Sequence, residues 1–184
     1  MRNKTLMVLG VVALLLAVAP ASRAQLNSNT AVVNLNAVLA ESLTVSTGSP
    51  TINFAFAAAG GVSNGSGPAT IVTTWALTSA RTNVSVYAYF VAPAAALTDG
   101  AGSNIASSRV QGSVNGGAFG AFTNNTAFGV AHGITVRSTA ITAANANNSA
   151  APASDTLDLR IDTTGLGLPA GTYTGQITVQ ARAI

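Results

Sequence analysis

The groups that could do chemistry are few. The chain of 184 residues holds one histidine, His132, no cysteine, and a single lysine, Lys4. Catalysis needs side chains that exchange protons, attack carbon or hold a metal. This inventory removes cysteine nucleophiles and zinc sets built from several His or Cys. His132 lies in "GVAHGIT" with no G-x-S-x-G elbow beside it, and is assigned to a loop or strand end. Asp155, Asp158 and Asp162 form an acidic group. In a strand, Asp158 and Asp162 share one face with Arg160 between them, the pattern of a solvated face with partial charge compensation. Calcium is the functional alternative, because it takes oxygen ligands. "DGAGSN" (Asp99 to Asn104) also offers oxygens, but it lacks the D-x-D-x-D-G spacing. "GSG" at Gly65 to Gly67 lacks the lysine and the following helix of a phosphate loop. These residues predict no enzyme, no metal and no cofactor.

Aromatic side chains can bind sugars by stacking. Tyr87 and Tyr89 fall on one face of a predicted strand, and Trp75 lies on the strand before it. Packing is the simpler use, since the chain has only ten aromatic residues with which to fill a core. The N-x-S/T triplets at Asn64, Asn83, Asn124 and Asn147 are expected by chance in a chain so rich in Asn, Ser and Thr.

The elements that must position these residues alternate with period two, the signature of strands with one buried face. Ala31, Val33, Leu35, Ala37 and Leu39 share one face, and Leu43 and Val45 continue the parity with Glu41 interrupting it. Ile52, Phe54 and Phe56 form another such set. "ATIVTTWALT" places Ile71, Trp75 and Leu77 together, and "NVSVYAYFV" places Val84, Val86, Ala88 and Phe90 together. In "TLDLRID", Leu157, Leu159 and Ile161 point inward. The last alternating run is Tyr173, Gly175, Ile177, Val179, Ala181 and Ala183, uncharged until Arg182. Between the runs lie "AAAGGVSNGSGPA", "DGAGSN", "NANNSAAPAS" and "GLGLPAG", which are turn and loop compositions. Asn115-Gly116 predicts a tight hairpin. "FVAPAAALTDGAG" leaves room for one short helical turn. The fold class is therefore all-β: an immunoglobulin-like β-sandwich of about 7–10 antiparallel strands.

The first residues predict an address rather than structure. Arg2 and Lys4 precede an apolar run from Leu6 to Val18, then Pro20 and the small-residue site "ASRA". This is the pattern of a secretory signal peptide cleaved after Ala24, and the run is short for a membrane span. Residues 25–184 are then one domain, in which Gln25 to Leu39 is either a strand for donation or the domain's own first strand. Removing Arg2, Lys4 and Arg23 leaves five arginines against five acids, so the net charge of +3 vanishes and nucleic-acid binding loses its support. No further segment is apolar enough to span a membrane. With no disulfide available, stability must come from packing and backbone pairing.

"VVNLNAVLAESLTVSTGSPTINFAF" resembles the opening of secreted spore coat protein U-like and fimbrial-type subunits. Leu43-Thr44-Val45 stands at that family's Cys-Thr-Val step, with Leu43 in place of the cysteine, and Asn53-Phe54 stands at its Asn-Phe. Pro169 to Tyr173 matches its "PAGTY" turn before a final strand. The resemblance covers about a third of the chain, at its two ends. It implies a structural subunit that passes through the periplasm to the cell surface and assembles into a fibre, pilus or coat by donating a strand. Its partners would be identical or related subunits, with a periplasmic chaperone and an outer-membrane usher. Ala31, Val33, Leu35, Ala37 and Leu39 suit a donor strand, which joins a partner by β-augmentation. Tyr173, Ile177, Val179 and Ala181 suit one wall of an acceptor edge, and the final strand is expected to border a site for another chain. Neither strand carries the charge or proline that normally protects an edge over most of its length. The competing expectation is a closed monomer that serves as a surface binding module for carbohydrate through Trp75, Tyr87 or Tyr89.

Overall fold

A computed structural model describes residues 28–48, 51–123, 128 and 133–184. The predicted signal peptide, Gln25, the Asn124 triplet and His132 lie outside them. The chain divides into two units, one ending at Val38 and one beginning at Leu39. In the first, residues 28–38 adopt no regular structure, and both faces of the alternating run are exposed: Val32 at 83% and Leu35 at 92%. The expected strand over Ala31–Leu39 is thus not formed. Strands are stabilised by cross-strand neighbours, and an alternating sequence without a partner has none.

From Leu39 onward the structure is nearly all-β, with antiparallel sheets, and β-sandwich-like. Eleven strands occur among the described residues: β1 (Ser42–Thr47), β2 (Val62–Asn64), β3 (Ala69–Ala76), β4 (Asn83–Tyr89), β5 (Leu97–Thr98), β6 (Asn104–Ile105), β7 (Val110–Val114), β8 (Gly120–Ala121), β9 (Ile134–Ala140), β10 (Ala153–Asp162) and β11 (Thr178–Ala183). The count exceeds the expected range because β5, β6 and β8 are two-residue ladders. One sheet runs β1-β3-β10-β7-β8, with β2 also paired to β10. A second runs β11-β4-β9, and β5 pairs with β6. A short 3-10 turn at Pro93–Ala95 occupies the predicted helical position.

The parities read from β3, β4 and β10 hold. Ile71, Trp75, Val84, Val86, Ala88, Phe90, Leu157, Leu159 and Ile161 are all buried in one core that draws on both large sheets. Asn115 and Gly116 adopt left-handed φ values of 51° and 72°, and Gly117 donates back to the Val114 carbonyl, which closes the β7–β8 connection. Three expectations need correction. "AAAGGVSNGSGPA" contains β2, whose Val62 to Asn64 pairs with β10 although glycines surround it. Ile52, Phe54 and Phe56 do share a half-buried face, but that segment forms only an isolated bridge from Phe54 to Gly65. The acidic group of Asp155, Asp158 and Asp162 divides, because Asp155 shares the parity of Leu157 and is 3% exposed.

The buried Asp155 is matched across the sandwich. Its carboxylate accepts from Arg137 Nε at 2.8 Å, from Arg137 Nη2 at 2.8 Å and from Asn115 Nδ2 at 2.9 Å. Arg137 sits on β9 in the other sheet. Strict alternation from the buried Val136 would send Arg137 outward. A register shift where β9 passes Val86 and Tyr87 sets Arg137 opposite the inward-facing Val86 instead. The result is an ionic clasp between the sheets in a chain that has no disulfide.

Candidate functional site

A cleft of about 640 Å³ opens among the described residues. Its floor is apolar: Ile71, Phe90, Val110, Leu157, Leu159 and Ile161. One wall is Thr47 at the end of β1, followed by Thr51 to Phe54 and Phe56. The other is the continuous segment Gly171–Val179, which leads into β11. Among the described residues β1 pairs only with β3 and β11 only with β4, so each wall adjoins the edge strand of one of the two large sheets.

Local sequence explains the second wall. Tyr173 to Ile177 was expected to be strand, but the regular ladder begins only at Thr178. Upstream, Thr174 instead exchanges backbone hydrogen bonds of 2.9 Å with Thr98, which draws the chain away from β4. Gly175 permits this: a β-carbon there would overlap the Ala96 carbonyl oxygen. The Tyr173 hydroxyl donates to the Pro169 carbonyl at 3.1 Å, which ties the "PAGTY" turn to the wall.

The floor side chains are each less than a tenth exposed, although the cleft lies over them. Aromatic rings from the two walls meet within the same cleft. Phe54 stacks on Phe56 with ring centroids 6.4 Å apart, and Phe56 meets Tyr173 edge-on at 6.4 Å. The ladder of rings therefore reaches from one wall to the other. An occupant would have to displace it, and its own apolar side chains would have to replace those contacts.

Of the predicted acceptor residues, Tyr173, Ile177 and Val179 line the cleft, whereas Ala181 lies farther along β11 and packs against the core. The predicted donor residues Ala31, Val33, Leu35 and Ala37 belong to the segment without regular structure. Leu39, at the start of the second unit, is 78% exposed. Trp75 is 3% exposed and donates its indole N–H to the Asn145 carbonyl at 2.9 Å, so it is a core residue and not a sugar platform. Tyr87 and Tyr89 share the outer face of β4. Tyr87 packs edge-on against Phe128 at 5.5 Å, and the Tyr89 hydroxyl meets Gln180 at 3.4 Å.

One feature was seen in the sequence only as an interruption. Glu41, just before β1, accepts from the Thr78 N–H at 2.8 Å and from the Thr78 hydroxyl at 3.0 Å, and it pairs with Arg81 Nη2 at 2.7 Å. The Arg81 guanidinium and the Thr78 donors hold its carboxyl down at about 2. Elsewhere, Asp99 accepts from the N–H groups of Ala101 and Ser103 within its own loop. These turn bonds lower its pKa. No group of three or more metal-ligating side chains occurs among the described residues. Comparison with family models, with curated proteins and with solved structures finds no match to this chain.

Proposed function

We propose that this chain is a secreted structural subunit of a surface fibre, pilus or coat, with an immunoglobulin-like sandwich completed by a strand from a second copy. The observation that carries this reading is the cleft: an apolar floor between a wall that continues β1 and a wall that leads into β11, each strand being the last described one on its side of its sheet. A sheet edge of this kind takes an extended segment by β-augmentation, with backbone bonds giving affinity and alternate side chains giving specificity.

The occupant is the segment Ala31–Leu39 of another molecule. It is as long as the wall Gly171–Val179, about 30 Å when extended. It contains no charge, proline or glycine. Ala31, Val33, Leu35, Ala37 and Leu39 would face the floor, and Asn34 and Asn36 would face water. Burying the apolar side chains is worth about 25 cal/mol for each Å² removed from water, and that gain must exceed the cost of displacing the aromatic ladder. Export through the periplasm, with a chaperone holding the cleft and an usher ordering the subunits, follows from the resemblance to fimbrial-type subunits.

The experiment is to purify the exported chain and image it for filaments. Filaments and a detergent-resistant ladder of oligomers are expected, and deletion of Gln25–Leu39 removes both. Polymers that persist unchanged after that deletion would show that another surface joins the subunits.

A further inference from the structure

We propose that the outer face of β10 carries a pocket for a small neutral saccharide, built from Asp158, Asn64, Phe119 and the backbone of Gly67 and Gly116. The pocket has a volume of about 330 Å³, at the low end of small-molecule sites. Leu157, Leu159 and Ile161 of β10 turn toward the core and floor the cleft, whereas Asp158 between them turns the other way. The pocket therefore owes nothing to the arm, Ala31–Leu39, or to what fills the cleft.

The sheet itself leaves the space. Along one side of β10 the ladder partner changes: Arg160 to Asp162 pair with β2, and Ala153 to Leu157 pair with β3. At the change, beside Asp158, the chain is Gly65-Ser66-Gly67-Pro68, which carries little side chain. Gly65 still donates to the Leu159 carbonyl at 2.8 Å, and a β-carbon at Gly67 would meet open space. The "GSG" turn, which cannot be a phosphate loop, thus keeps the floor uncovered. On the other side Asp158 stands opposite Ser113 of β7. Gly112 pairs with Gly120, so Phe119 follows at the level of Ser113. The Ser113 hydroxyl donates to the Gly117 carbonyl at 2.7 Å and ties the hairpin down there.

The free polar groups define the ligand. Arg160 shares the outward parity of Asp158 but is engaged elsewhere. Its Nε donates to Gln111 Oε1 at 2.6 Å, and its Cζ stands 4.1 Å from the centroid of the Phe119 ring. Among the described residues, the Asp158 carboxylate, the Asn64 amide and the N–H groups of Gly67 and Gly116 have no partner. The pocket so offers acceptors and donors beside an aromatic ring that is 37% exposed. Hydroxyl groups use both kinds of partner, and the C–H face of a sugar ring packs on an aromatic one. Charge selects a neutral ligand. Asp158 repels an anion, and a cation would meet a ring that already holds the Arg160 guanidinium.

A ligand of about a dozen non-hydrogen atoms in such a pocket is expected to bind with a Kd near millimolar, a range that saturation-transfer difference NMR reads. The full exported chain is titrated with the methyl glycosides of glucose, galactose, mannose and N-acetylglucosamine. Glucuronate is the anionic probe and glucosamine the cationic one. Transfer to at least one neutral glycoside is expected, and more weakly or not at all to the charged probes. Asp158→Asn and Phe119→Ala should each weaken binding about tenfold, and Tyr89→Ala, on the other sheet, should leave it unchanged. Asp158→Asn should melt at the native temperature, because its carboxylate holds no partner, so lost binding there is not lost fold. Binding that survives both substitutions, or that is lost in Tyr89→Ala instead, overturns the pocket. Preference for glucuronate or glucosamine overturns the neutral class, and no transfer to any neutral glycoside overturns the whole inference. Each of these failures leaves the proposed subunit standing.

Discussion

Asp155 brings a charge into the space between the sheets, where its side chain is 2% exposed. Such a charge is tolerated only when fully bonded, and here two guanidinium N–H groups and one amide N–H supply the bonds. A buried pair adds little over well-packed apolar residues, but losing one partner is costly because the other charge is left unmatched. Asp155→Ala is therefore expected to lower stability by about 3–5 kcal/mol in urea unfolding, and Asp155→Leu with Arg137→Met to recover most of that loss. Glu41 behaves differently, being exposed. Its carboxyl titrates at about 2 in place of 4.5, so its bonds to Thr78 and Arg81 add stability that is fully present above pH 4.5 and lost as pH falls through 2. The gap in urea midpoint between the native chain and Glu41→Gln should be visible near pH 5 and close near pH 2. Asp99 and Asp162, also lowered, contribute acid sensitivity common to both proteins. Both Asp155 and Glu41 were visible as residue types, but their partners were not. The parity of Asp155 matched its apolar neighbours, but its partner stands on another strand, at a register shift that alternation cannot announce. Glu41 broke a pattern because it marks where an exposed segment ends and the sandwich begins.

Elements were legible where period two was sustained and both neighbours were strands. β3, β4 and β10 had those conditions, and their buried faces follow the alternation residue by residue. β2 was hidden because a short strand among glycines carries almost no periodic signal, and its pairing to β10 depends on the whole sheet. The segment before β11 alternates like a strand yet leaves the ladder, since contacts with Thr98 and Ala96 outweigh local pattern. The arm is the opposite case, a strand pattern with no strand in the structure. If that pattern exists to fill a neighbour's cleft, the two faces of the arm must differ in tolerance. Leu35→Asp is expected to abolish the oligomer ladder, since a carboxylate would be buried on an apolar floor. Asn34→Asp should leave the ladder intact. Unfolding of the isolated subunit should be the same in both, because both positions are exposed. Equal losses of assembly would remove the assigned register.

At the scale of the molecule, among the described residues an edge strand of each large sheet adjoins the cleft, and the rings of Phe54, Phe56 and Tyr173 join its two walls. On the proposed function, the sandwich should be less stable alone than when completed by a neighbour's strand. Any segment that binds only the folded form adds RT ln(1 + [L]/Kd), about 2.7 kcal/mol at a hundredfold excess over Kd. A chain deleted through Leu39, which leaves the cleft open and removes the competing arm, is the host in which to measure this. A synthetic peptide with the sequence Thr30 to Ala40, added at that excess, should raise its melting temperature by about 5–11 °C. A second peptide, with one serine inserted after Val33, keeps almost the same composition but turns Leu35, Ala37 and Leu39 to the other face relative to Ala31 and Val33. It should give a much smaller shift. Stabilisation by both peptides alike would mean that greasiness, and not strand register, fills the cleft; stabilisation by neither would mean that the rings already complete the core. The expected difference between the two peptides is what links an alternating segment near one end of the chain to the cleft wall near the other.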